Sequence, residues 1–187
     1  MVRSNGWRTL ALVVAGVLAL AGCGVSGGEH GAPGSSGGEH AAPGSSGGEL
    51  SIEEARTHYE EIVAPANCTS AAFIQGAAAL QASTTLADAE AALQPLASEA
   101  ADASETFGSA MDAASWPDEA QPAATTVAER AHQEADAYRA VADATDDESF
   151  RAALDALQEV LDAPRPSGQM RAVLGLEGSQ RVQDVAC

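Results

Sequence analysis

SIEEARTHYEEIVAPANCTSAAFIQGAAAL, residues 51–80, decides the fold. Its apolar and small positions are Ile52, Ala55, Tyr59, Ile62, Ala66, Ser70, Phe73, Ala77 and Leu80. They advance in steps of three and four, the period of one face of an α-helix. The phase holds through Pro65, where an intervening turn would break it. The spacing therefore predicts a single helix from residue 51 to about 82, kinked at the proline, rather than two helices meeting near Ala64–Asn67. Ser51-Ile52-Glu53-Glu54 opens it as a capping box, in which hydroxyl and carboxylate each satisfy an amide that the first turn leaves without a partner.

Working outward, a second stripe keeps the same step past Pro95: Leu86, Ala89, Leu93, Leu96, Ala100, Ala103, Phe107, Ala110 and Ala114. Thr85 and Asp88 supply its cap, and Ser115-Trp116-Pro117 ends it. Pro122 suits the first turn of a third helix, where its missing amide costs nothing. That helix carries Val127, Ala131, Tyr138 and Val141 and ends near Asp143. Thr145-Asp146-Asp147-Glu148 reads as another capping box, opening a fourth helix with Phe150, Ala153, Leu154, Leu157, Val160 and Leu161, which Pro164 and Pro166 stop. A short helix over Gln169–Leu174 precedes an irregular tail ending at Cys187. The expected fold is all-α: an up-down antiparallel four-helix bundle with a short C-terminal helix. Its alanine-rich core brings the axes towards the lower end of the usual spacing. No cofactor is expected, since little room is left for a haem or flavin, although a cavity near Pro65 and Pro95 is compatible with the pattern.

Upstream of Leu50 the composition changes abruptly. Residues 27–49 read GGEHGAPGSS, GGEHAAPGSS and GGE, a ten-residue repeat with a truncated third copy. Glycine, serine and proline at this density bury no core, so the segment reads as a flexible tether. From Gly24 to Leu50 it spans roughly 30 Å r.m.s. by random-coil scaling. His30 and His40 in such a chain make a poor metal site, and spacer is the plainer reading.

The first 22 residues, with Arg3 and Arg8 ahead of the apolar run Leu10–Ala21, have the build of an export signal, and the run is too short for a permanent membrane span. Leu20-Ala21-Gly22-Cys23 closes it and resembles the lipobox of bacterial lipoproteins. That resemblance implies cleavage before Cys23, diacylglyceryl modification of its thiol and attachment to the membrane on the extracytoplasmic face. The domains then run 1–22 signal, 23–50 lipidated cysteine and tether, and 51–187 bundle. With Cys23 lipidated, Cys68 and Cys187 remain. In an oxidising compartment such a pair is most simply a disulfide that ties the tail to the first helix. Neither lies in a CxxC motif and no cationic group flanks Cys187, which argues against thiol chemistry.

Charge narrows the partners. The chain has 27 acidic side chains, nine arginines and no lysine, for a formal charge of −18. Loss of Arg3 and Arg8 takes the mature chain to −20 by subtraction from that total. Such acidity argues against nucleic acid and anionic lipid headgroups as partners.

Candidate chemistry is sparse. Glu129-Arg130-Ala131-His132 gives one Glu-x-x-His pair on the third helix, whereas di-iron carboxylate bundles need two pairs and two further glutamates, all pointing inward. Glu129 and His132 fall opposite the apolar stripe and are expected to face water. Glu54 and His58, four apart, form a second weak candidate. There is no nucleophile elbow, no Walker loop and no dinucleotide fingerprint. Trp116 reads either as an exposed anchor for a partner or as a cap on the core. Tyr59 and Tyr138 read as core residues whose hydroxyls reach the surface.

Over residues 51–176 the chain resembles a group of alanine-rich actinobacterial lipoproteins, small helical proteins without an established activity. The likeness rests on Tyr59…Ile62-Val63-Ala64-Pro65, Trp116-Pro117…Gln121-Pro122 and Val173-Leu174-Gly175-Leu176, and implies a helical fold with no catalytic residue to carry over. The sequence thus leads to a non-catalytic, lipid-anchored envelope protein that binds a protein partner or a ligand outside the membrane. The competing expectations are a metal-binding, di-iron-like bundle centred on Glu129 and His132, and a small-ligand carrier or sensor with a pocket near the prolines.

Overall fold

A computed structural model describes residues 48–81, 84–176 and 187. The signal segment, Cys23 and most of the tether lie outside the described residues, as do 177–186 of the tail. The described elements are all helical: α1 (Ile52–Ala79), α2 (Leu86–Ala113), α3 (Gln121–Ala142), α4 (Asp147–Asp162) and the short α5 (Ser167–Val173).

α1 is continuous through Pro65 and α2 through Pro95, as the unbroken phase of their stripes required. Both prolines are on exposed faces. Each removes an amide from the ladder, and the carbonyls that lose a partner, on Glu61 and Ala91, belong to exposed residues where water replaces it. The Ser51 box forms at both ends: Glu54 N–H donates to Ser51 Oγ at 3.3 Å, and Ser51 N–H to Glu54 Oε2 at 2.9 Å. Hydrogen bonds from Ser51 hold the Glu54 carboxyl below its usual range. At α4 the expected Thr145–Glu148 box is replaced by one a residue later. Asp146 accepts from Ser149 N–H at 2.8 Å, and Ser149 Oγ accepts from Asp146 N–H at 3.2 Å. Thr145, Asp146 and Asp147 are all competent caps. The carboxylate of Asp146 has the advantage over a hydroxyl, because it also meets the positive end of the helix.

The helices form the expected up-down four-helix bundle, with alanine filling much of the core. α1 packs on α2, α2 on α3, and α3 on α4. The α2–α3 contact is the most extensive: Phe107 and Met111 pack with Ala124, Val127, Ala128 and Ala131 at one end, and Ala97, Ala100 and Ala101 with Tyr138 and Val141 at the other. Gly76 lets α1 approach α2: a Cβ there would lie 2.5 Å from Leu96 Cδ1. One core cluster groups Tyr138 and Val141 with Phe150, Ala153 and Leu157. The other holds Tyr59, Phe107, Met111 and Trp116, where α5 inserts the fully buried Met170 and Leu174. Arg56 secures that end by donating to the Leu174 carbonyl at 2.9 Å, next to Gly175 at φ +64°.

Trp116 is a cap on the core. Its indole is buried, donates to the Met111 carbonyl at 2.7 Å and lies 5.6 Å from the His58 ring. The folded unit begins at Glu49. Leu50 N–H donates to Ser115 O at 2.8 Å, and Glu49 accepts from Asp118 N–H at 2.9 Å, so the last tether residues are bound to the α2–α3 connection. The disulfide joins Cys68 to Cys187, with 5.7 Å between the Cα atoms and a sequence separation of 119. No described helix is long and apolar enough to cross a membrane.

The bundle is unevenly closed. α1 leans on α2 but scarcely packs against α3 or α4. That open seam is where a site can form.

Candidate functional site

α1 and α3 flank α2 and meet over it at Phe73 and Tyr138, whose rings touch edge to face at 5.2 Å. At the other end Tyr59 meets Phe107 at 6.2 Å, also edge to face. Between these two aromatic contacts lies a cavity of about 80 Å³. Val63, Ala66, Asn67, Ser70 and Ile74 of α1 form one wall, and Val127, Arg130, Ala131 and Glu134 of α3 the other. Ser104 and Phe107 of α2 form the floor, while Leu161 and Arg165-Pro166-Ser167, leading from α4 into α5, close the side.

The wall is apolar with a few converging polar groups, the composition of a small-molecule site. Arg130 is committed: its Nε donates to Glu134 at 2.9 Å and its Nη2 to the Val160 carbonyl. Arg165 stands between Pro164 and Pro166, which restrict its backbone, and makes no ion pair among the described residues. Behind Ser70 lies Tyr138. Its hydroxyl is fully buried and has no hydrogen-bond partner, although Ser70 is beside it. The expectation that this hydroxyl reaches the surface is therefore corrected. Burial pushes the phenol up to about 12, so it remains a donor. A buried unmet donor costs on the order of 1–3 kcal/mol, which the fold tolerates at the inner wall of this cavity.

Of the residues singled out by sequence, the structure brings few into this site. Glu129 is exposed as expected. His132 keeps 34% of its side chain exposed, and its ring lies over Gly108 between two carboxylates of α2, with Nδ1 3.2 Å from Glu105 Oε2 and Nε2 3.1 Å from Asp112 Oδ2. Periodicity placed it off the apolar stripe but could not show that Glu105, Gly108 and Asp112, spaced three and four apart, form a notch on the neighbouring helix. The hydrogen bonds to Asp112 and Glu105 raise the imidazole above its ordinary value. The carboxylates engage opposite ring nitrogens, so an ion bound to either nitrogen would meet one carboxylate and not both. Among the described residues no group of three His, Cys, Asp or Glu side chains is placed to hold a metal. Glu54 and His58 also part company, the first to the α1 cap and the second to Trp116.

The anticipated pocket near the prolines has a counterpart at Pro65, whose neighbours Val63 and Ala66 line the cavity, while Pro95 does not. Sequence reasoning missed Arg165, Ser70 and Ser104, since an arginine in a proline-rich stop and serines on an apolar stripe give no signal of their own. Comparison with protein families, characterised proteins and solved structures gives no match. The site is therefore read from its own chemistry.

Proposed function

We propose that this chain is a non-catalytic binding protein, anchored through lipid on Cys23 to the extracytoplasmic face of the cell membrane, which takes up a small ligand between α1 and α3. The observation that carries the reading is the cavity at the open seam, with a buried, unpartnered Tyr138 hydroxyl against its inner wall. A small ligand fits better than a protein partner. The large side chain at the bundle end, Trp116, is packed inward, whereas the polar groups converge on a volume of about 80 Å³, too small for a protein segment. The anchor and tether would hold this domain away from the lipid headgroups while leaving it free to sample its surroundings.

Two experiments test the two halves of the reading. Replacing Cys23 by alanine releases the chain from membranes or leaves an unprocessed precursor; a variant that fractionates like the parent contradicts the anchor. For the cleft, the melting temperature of the full chain carrying C23A is measured against a library of small metabolites. Saturating ligand at about 100 times Kd stabilises by about 2.7 kcal/mol. The hits should be lost in V63W, whose indole fills the cavity from the α1 wall. Hits that persist in V63W would place binding elsewhere.

A further inference from the structure

The charge of the cavity runs against that of the molecule. A chain of formal charge −18 lines this one volume with two arginines, Arg130 and Arg165, and a single acid, Glu134. Glu134 is already neutralised by Arg130 at 2.9 Å. The surplus is the guanidinium of Arg165, which has no carboxylate partner among the described residues. Opposite it, Asn67 and Ser70 present an amide and a hydroxyl. Val63, Ile74, Phe107 and Leu161 give the wall its apolar surface, and Tyr59, Ser104 and Ser167 add neutral hydroxyl residues.

From this arrangement we propose that the ligand is a small organic monoanion, a carboxylate on a short unbranched apolar chain, held by Arg165 and Ser70 with its chain against Val63, Ile74 and Leu161. The inference rests on reading the cleft as a binding site and adds the class of ligand. A carboxylate is acceptor-only and suits the planar fork of a guanidinium. It also answers the unmet donor. With the Ser70 O–H donated to the ligand, Ser70 Oγ is free to accept from the buried Tyr138 O–H, so a small movement completes a chain of bonds from phenol to serine to carboxylate. A cation would bring its charge against Arg165, and a dianion would leave one charge facing a single surplus cation and an acidic surface. Size sets the length. At the 10–15 Å³ that a water occupies on this measure, the cavity has room for on the order of six non-hydrogen atoms, the size of butyrate.

Isothermal titration of the full chain carrying C23A compares butyrate, 1-butanol and butylamine at pH about 7, where the first is anionic and the last cationic. The expected result is one-to-one binding of butyrate, with butanol about tenfold weaker or more and butylamine silent. R165Q should weaken butyrate about tenfold while leaving the melting temperature unchanged, because Arg165 is exposed and outside the core. V63W should abolish binding of both. Butanol or butylamine binding as well as butyrate, or R165Q without effect, overturns the anion while the cleft stands. Butyrate binding that survives V63W overturns the site. Failure of all three probes on a chain with an unchanged melting curve overturns the ligand class and leaves the cleft to be judged by the metabolite library.

Discussion

His132 shows how much a single residue can depend on a neighbouring helix. It sits in a notch that exists only because position 108 has no side chain: a Cβ on Gly108 would come within 2.8 Å of the imidazole. Glycine inside a helix costs about 1 kcal/mol relative to alanine. Gly108→Ala should therefore stabilise by about 1 kcal/mol when His132 is itself alanine, and by less, or not at all, when the imidazole must be displaced from Glu105 and Asp112. Urea denaturation of the four variants of that cycle measures the difference. The clamp also has a sign in pH. The folded imidazole titrates above its unfolded value, held up by Asp112 and then Glu105. Its contribution is complete below the unfolded pKa of about 6.5 and is lost as pH rises through the folded one. Denaturation midpoints should fall over that interval, the slope should vanish in H132Q, and imidazole NMR should give a midpoint above that of free histidine. A flat profile in the parent would dissolve the clamp.

At the scale of the elements, the apolar phase was enough to carry α1 through Pro65 and α2 through Pro95. The stripes encode which face is buried, and both prolines fall on the other face. Caps were less legible. Thr145, Asp146 and Asp147 satisfy the same pattern, and only geometry selects Asp146. Asp146→Ala should lower the melting temperature by a few degrees while Thr145→Ala leaves it unchanged; equal effects would return the cap to Thr145. Hydrogen bonds from Ser149 hold the Asp146 carboxyl below its ordinary range, so this cap, like Glu54 at α1, stabilises at neutral pH and weakens as pH falls through its lowered value. Pro65 has a second consequence, since Val63, Ala66 and Asn67 around it all line the cavity. Pro65→Ala restores the hydrogen bond to the Glu61 carbonyl and should stabilise by about 1–3 kcal/mol. Loss of ligand hits from the thermal screen in that variant would show that the proline shapes the α1 wall; unchanged hits would show that it does not.

For the whole molecule, the bundle and its staple could be read from the chain, but the open seam could not. Periodicity says that each helix has one buried face and is silent on which neighbours share it. α1 spends its face on α2 rather than closing against α4, so the cavity is a property of assembly, built from Asn67 and Ser70 on α1, Ser104 on α2 and Arg165 in the α4–α5 connection. The staple compensates at the same place: Cys68 follows Asn67 on the cavity wall and ties the chain end to α1. Chain-entropy reasoning for so long a loop gives a loss of about 2–5 kcal/mol on removal. The double replacement of Cys68 and Cys187 by serine should show it in urea denaturation, and α1 amides should then exchange hydrogen before those of α2 and α3. Uniform exchange would mean that the seam is not the weak side of the bundle.

The most direct test of the account is mass spectrometry of the small molecules that accompany the chain purified from the cells that produce it. The parent should release, on denaturation, a small ligand that V63W lacks. Equal small-molecule content in parent and V63W, or a stoichiometric protein in place of any ligand, would contradict the cleft as the working site of this protein.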